Sequence, residues 1–122
     1  MPLKDEITVA VGAHGLWKSR LRQAIQTGKC EATVQGVRVD NQCKFGQWLY
    51  GPSITGTEKA LAGYRECREL HARFHSAAAH VLELALAGQK TQAEAAMQEG
   101  SEFAKISHDL TDAMLRWQKT AA

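Results

Sequence analysis

The sequence predicts an all-α domain, a four-helix bundle with three long helices and one short one. Three observations carry this. Apolar residues recur at three- and four-residue steps, only two prolines occur (Pro2 and Pro52), and glycines or capping residues stand where the periodicity stops. A chain of 122 residues fits one domain, here 1–122, and can bury a core without disulfide staples.

The first long helix is expected from about Leu3 to Thr27, with the stripe Ile7, Ala10/Val11, His14, Trp17, Leu21 and Ala24/Ile25, and with Gly28 as its stop. From Gly28 to Gln42 helical period is lost, and Val34, Val37 and Val39 around Gly36 suggest a brief extended piece. Asp40 or Asn41 offers an N-cap for the short helix, about Gln42 to Tyr50, which Gly51-Pro52 ends. Thr55 with Glu58 reads as a capping box opening the longest helix, about Gly56 to Ala87. Its stripe is Leu61, Tyr64, Cys67, His71, Phe74/His75, Ala78, Val81/Leu82 and Ala85, and Gly88 stops it. Thr91 with Glu94 suggests a second capping box, opening a last helix striped by Ala96, Gly100, Phe103, Ser107, Leu110, Met114 and Trp117.

Lys and Arg number 15 against 13 Asp and Glu, a net charge of +2. Such near balance argues against an electrostatically driven nucleic-acid binder. No run approaches the roughly 20 apolar residues of a membrane span, and the N-terminus lacks the pattern of a signal peptide. The three cysteines, Cys30, Cys43 and Cys67, form no disulfide framework. Thiols available for metal or redox work, in a cytoplasmic protein, are the expectation.

His71 and His75, four residues apart on one helix, point within about 40° of each other with Cβ atoms roughly 6 Å apart. His-x-x-x-His arises in many helices through ordinary core packing. Here, however, His71 replaces a core hydrophobe, and His14 does the same on the first helix. Three inward imidazoles are costly unless paired, and a shared cation would satisfy them together. His80 and His108 fall beside their stripes and read as surface residues. Cysteine supplies a fourth candidate. Cys43 lies in the first turn of the short helix, where unpaired N–H groups favour a thiolate, while Cys67 stacks one turn before His71 on the same face. The residues leave that choice open; Cys30 is the least constrained of the three. A thiolate with three imidazoles is the ligand set of a closed tetrahedral zinc site. A di-iron bundle would need inward Glu residues, which the stripes lack.

The runs AHGLWKSRL (13–21), CKFGQWLYG (43–51) and LHARFH (70–75), with an echo at Glu102-Phe103-Ala104, resemble the chemoreceptor zinc-binding domain across nearly the whole chain. The resemblance implies a four-helix bundle holding one zinc ion per chain. Its ligands would be His14, Cys43, His71 and His75, with Cys43 on the short helix chosen over Cys67. Trp17 and Trp48 match positions that pack around the site, and Gly46 lets the short helix approach its neighbours. It also implies a role in bacterial signal transduction or chemotaxis, with Cys43 redox-sensitive towards oxidants such as hypochlorous acid, and a homodimer. Members usually sit beside a chemoreceptor signalling region or a diguanylate cyclase. Met1 and Ala122 fall near the module's limits, so output is expected through a partner in trans, dimerisation or zinc occupancy.

Three functions are compatible with a zinc site. A regulatory sensor would respond to zinc availability or thiol oxidation, and a structural adaptor would hold its zinc permanently. A zinc enzyme would need an open coordination position and a nearby base, which four protein ligands and carboxylate-free stripes do not provide.

Overall fold

The structure, a computed structural model, describes residues 3–30, 33–39, 41 and 43–120, with Lys44 described through its backbone alone. The described residues are all-helical, without strands. Three helices are long: α1 (Leu3–Thr27), α5 (Ala62–Leu86) and α7 (Glu102–Thr120). Four are short: α2 (Val34–Arg38), α3 (Lys44–Leu49), α4 (Gly56–Lys59) and α6 (Lys90–Met97). None is long and apolar enough to cross a membrane.

The long helices bury the stripes their sequences mark. α1 buries Ile7, Ala10, His14, Leu21, Ala24 and Ile25, and α7 buries Phe103, Ser107, Leu110, Ala113, Met114 and Trp117. α5 is the hub, packed against α1, α2, α6 and α7, with α1 also lying on α7. Accordingly α5 carries the longest buried face, from Tyr64 through His71, Phe74 and His75 to Ala85. Gly28 and Gly88 end α1 and α5 in the left-handed region, at φ 72° and 77°, where their N–H groups close onto Ala24 and Ala85. His80 and His108 are exposed as expected.

Several local expectations are corrected. The segment expected to be extended is instead the helix α2 over Val34–Arg38, with Val39 alone in extended backbone. Thr33 caps it by accepting the Gly36 N–H at 3.0 Å, and Val37 is the side chain it buries. The Val spacing of three residues serves one helical face as well as it would a strand. The short helix α3 is capped by Cys43 itself rather than by Asn41; Asp40 and Gln42 lie outside the described residues.

The Thr55 cap forms, with its side chain accepting from Glu58 N, but the Glu58 carboxylate accepts from Trp117, and the cap opens only the single turn of α4. The chain breaks at Ala60–Leu61, so the longest helix is two pieces and Leu61 is an exposed N-cap rather than a core position. The box at Thr91 does not form. α6 starts two residues earlier, at Lys90, with Gln89 as an N-cap that makes no side-chain bond. Gly100, at φ 89°, then separates α6 from α7, so the expected single last helix is also two.

Hydrogen bonds hold the short helices in place. Tyr64 Oη donates to the Leu49 carbonyl at 2.9 Å, fastening α3 to α5. Trp117 Nε1 donates to Glu58 Oε1 at 2.8 Å, fastening α4 to α7. Ser53 Oγ donates to Glu6 at 2.7 Å, tying the α3–α4 connection to α1.

Candidate metal centre

α5 places His71 and His75 one above the other, facing the core, each only 1% exposed. Their Nε2 atoms stand 3.0 Å apart. α3 adds Cys43, because an N-cap side chain turns back over its own helix start. Its Sγ accepts the Gly46 N–H at 3.3 Å, and lies 3.5 Å from His71 Nε2 and 3.3 Å from His75 Nε2. Among the described residues this trio is the group of His, Cys and acidic side chains whose donor atoms converge.

His14 comes from α1 to the same cleft, whose volume is about 900 Å³ and whose walls include Cys43, His71 and His75. Its Nε2 lies 3.4 Å from Ser107 Oγ on α7, and its ring meets Phe74 edge-on at 4.4 Å. Cys67 is fully buried on α5 outside the trio. Burial, and then the neighbouring Glu66, push its thiol up to about 12. Cys30 is half-buried at the far end of α1.

Burial also governs the imidazoles. It pushes His71 down to about 3, helped by His75 and His14. It pushes His14 down to about 4, helped by Lys18 and His75. Both rings are therefore neutral at physiological pH, the state in which imidazole binds metal. His75 is oriented by a contact between its Nδ1 and the Val37 carbonyl at 2.8 Å.

Trp17 stands edge-on to His75 at 5.5 Å. Trp48 packs instead on Trp117 and on the edge of Phe45. Phe45, which the sequence did not single out, stacks on His71 at 4.3 Å. Gly46 is buried where α3 crosses the site. Val37 and Ser107 were also missed as site residues. Ser107 stood in the sequence as a polar residue within an apolar stripe, the same signal that exposed the histidines. The carbonyl of Val37 left no side-chain signal.

The residues fit a zinc ion. At tetrahedral angles, zinc bonds of about 2.0–2.1 Å to nitrogen and 2.3 Å to sulfur put donors roughly 3.3–3.6 Å apart. The observed edges are 3.0, 3.3 and 3.5 Å. A soft sulfur with imidazole nitrogens is the donor set zinc favours. Bound there, zinc would link α3 to α5 as a tetrahedral cross-link.

The family model for the chemoreceptor zinc-binding domain matches residues 14–82, a span that opens on His14 and takes in the whole trio. No curated protein and no solved structure matches the chain. Matched over more than half its length, the chain belongs to the chemoreceptor zinc-binding domain family.

Proposed function

We propose that this chain is a zinc-binding regulatory module whose metal is held by His14, Cys43, His71 and His75, one ion per chain. The observation that carries the reading is the convergence of Cys43 Sγ with two buried Nε2 atoms, all within 3.5 Å. His14 is the fourth ligand because it faces the same cleft as a neutral imidazole. Its Ser107 contact is long at 3.4 Å and readily exchanged. The frame is a four-helix bundle in which α1, α5 and α7 are the long members and α3, carrying Cys43, the short one. The module is not an enzyme, since four protein donors complete the coordination of zinc and leave no position for water.

The switch lies at Cys43. His71 and His75 share one long helix, whereas Cys43 caps a six-residue helix held by fewer contacts. Hypochlorous acid would convert its thiolate to sulfenic acid with release of chloride. The sulfur is oxidised by two electrons, oxygen passes to it with its proton, and the ligand is weakened. Falling free zinc would empty the same site by mass action. Either event loosens α3 and alters a surface read by a second copy of the chain or by a cytoplasmic partner such as a chemoreceptor or diguanylate cyclase.

Native mass spectrometry of protein from unsupplemented cells is expected to show one zinc per chain, weakened by Cys43→Ala. Equimolar oxidant is expected to release zinc and speed amide exchange in α3; retention of zinc with unchanged exchange overturns the sensing role. A permanent structural site is the second reading, favoured by the closed donor set. Chelation then unfolds the chain globally, whereas a sensor stays folded without metal.

A further inference from the structure

The Val37 carbonyl is available because of how α2 ends. A helix leaves its last carbonyls without intrahelical partners. α2 is five residues long and passes at Val39 into extended backbone, with ψ 143°. Its carbonyl at Val37 therefore reaches across to α5 and meets His75 Nδ1 at 2.8 Å, in a fully buried contact. A carbonyl oxygen can only accept, so the ring proton of His75 stands on Nδ1. In a neutral imidazole the lone pair then lies on Nε2, the atom that faces Cys43 and His71.

His71 has no such support. Its Nδ1 is buried without a hydrogen-bond partner among the described residues, and its ring stacks on Phe45. The two histidines of the trio are thus unequal at Nδ1: one has its tautomer set there by α2, and the other has only packing on that side of its ring. α2 also packs broadly along α5, with Val34 against the core. The Val37 side chain is buried, while the Arg38–Glu83 ion pair, at 3.5 Å, is exposed on both sides and so contributes little.

We infer that α2 is a working part of the metal centre: the main-chain carbonyl of Val37 is a positioning group that holds His75 in the metal-binding tautomer, so that docking of α2 and metal binding reinforce each other. This rests on the zinc reading above. Partners that orient metal-ligating histidines typically change affinity by about ten- to a hundredfold. Because coupling between binding and docking is reciprocal, zinc must stabilise docked α2 by the same factor.

The test combines zinc titration against a competing chelator, amide exchange and histidine nitrogen NMR on the full chain. Val37→Asp places a charge at the buried contact and should undock α2. The expected result is a ten- to hundredfold loss of zinc affinity with fast exchange at Val34–Arg38. Thr33→Ala removes only the exposed cap and should weaken zinc by up to about fivefold, the equivalent of a typical N-cap contribution. If Val37→Asp does not fold, Thr33→Ala and the wild-type spectra decide. In the wild-type chain NMR should show His75 protonated at Nδ1, with and without zinc, and zinc should slow exchange throughout α2. A proton on Nε2 in the metal-free protein, or undocked α2 with affinity unchanged, overturns the inference. Failure of the wild-type chain to bind zinc overturns the proposed function and this inference together. Zinc binding that both variants leave intact overturns only the role of α2.

Discussion

The Nε2 atoms of His71 and His75 face each other at 3.0 Å, on two side chains that are each only 1% exposed. Two imidazole nitrogens at that distance need either a proton between them or a cation beside them. With the His75 proton engaged on Nδ1 by Val37, a metal-free site keeps its contact through the Nε2 proton of His71. Zinc at His71 Nε2 would move that proton to Nδ1 and leave the ring neutral, so the proton released on binding comes from the Cys43 thiol. His71→Ala and His75→Ala are therefore each expected to lower zinc affinity by at least tenfold, measured by chelator competition, whereas the exposed His80→Ala and His108→Ala are expected to leave it unchanged.

The metal-free protein is expected to lose stability in mild acid. His71 and His14 titrate at about 3 and about 4 when folded, against an ordinary value of 6.5. Below pH 6.5 the unfolded chain therefore takes up protons that the folded chain refuses, and stability falls as pH falls. The loss runs from about 6.5 down to the folded values, roughly 2 kcal/mol per histidine by pH 5. Urea unfolding of chelated protein at pH 7.5 and pH 5 measures it. His14→Gln is expected to flatten part of this dependence, and a pH-independent midpoint would contradict the neutral, buried state of the rings.

How far the sequence disclosed this architecture depended on the length of each signal. The stripes of α1, α5 and α7 repeat over five or more turns, so most of their buried faces were legible, the polar His14, His71, His75 and Ser107 included, while Ala79 and Ala113 are buried outside the marked stripes and Trp17 within one is half-buried. Breaks within a stripe were not legible. The period continues across Leu61 and Gly100, and only backbone geometry at those points divides the helices. α2 has five residues, too few for a period to separate helix from strand. The choice of Cys43 over Cys67 needed the family resemblance, since both fit a helical approach to His71. The structure separates them by bringing only Cys43 to the imidazoles.

Cys67 is expected to be chemically silent. It is fully buried, with its thiol pushed up to about 12 by burial and then by Glu66, so almost no thiolate exists at pH 8. Iodoacetamide on chelated, folded protein should label Cys43 and Cys30, with Cys67 reacting only after denaturant is added, as read by peptide mass spectrometry. Cys67→Ala should leave zinc affinity unchanged. Rapid labelling of Cys67 in the folded state would place it in an open environment that the α5–α7 packing does not allow.

Gly63 marks a close approach of α5 to Trp117 of α7. A Cβ there would stand 3.0 Å from Cδ1 and 3.2 Å from Cγ of Trp117. An alanine normally gains about 1 kcal/mol over glycine inside a helix. Here the indole must yield, and it is poorly able to: Trp117 is 2% exposed, and its Nε1–H is committed to Glu58 across the α4–α7 contact. Overpacking a filled core costs about 1–3 kcal/mol, so the clash outweighs the propensity gain. Gly63→Ala is expected to lower stability by about 1 kcal/mol in urea unfolding. The double variant with Trp117→Phe, whose smaller ring leaves room for the new methyl, should show a smaller penalty for the alanine than the native background does. Equal penalties in the two backgrounds would mean that the indole gives way freely and that the α4–α7 bond does not hold it.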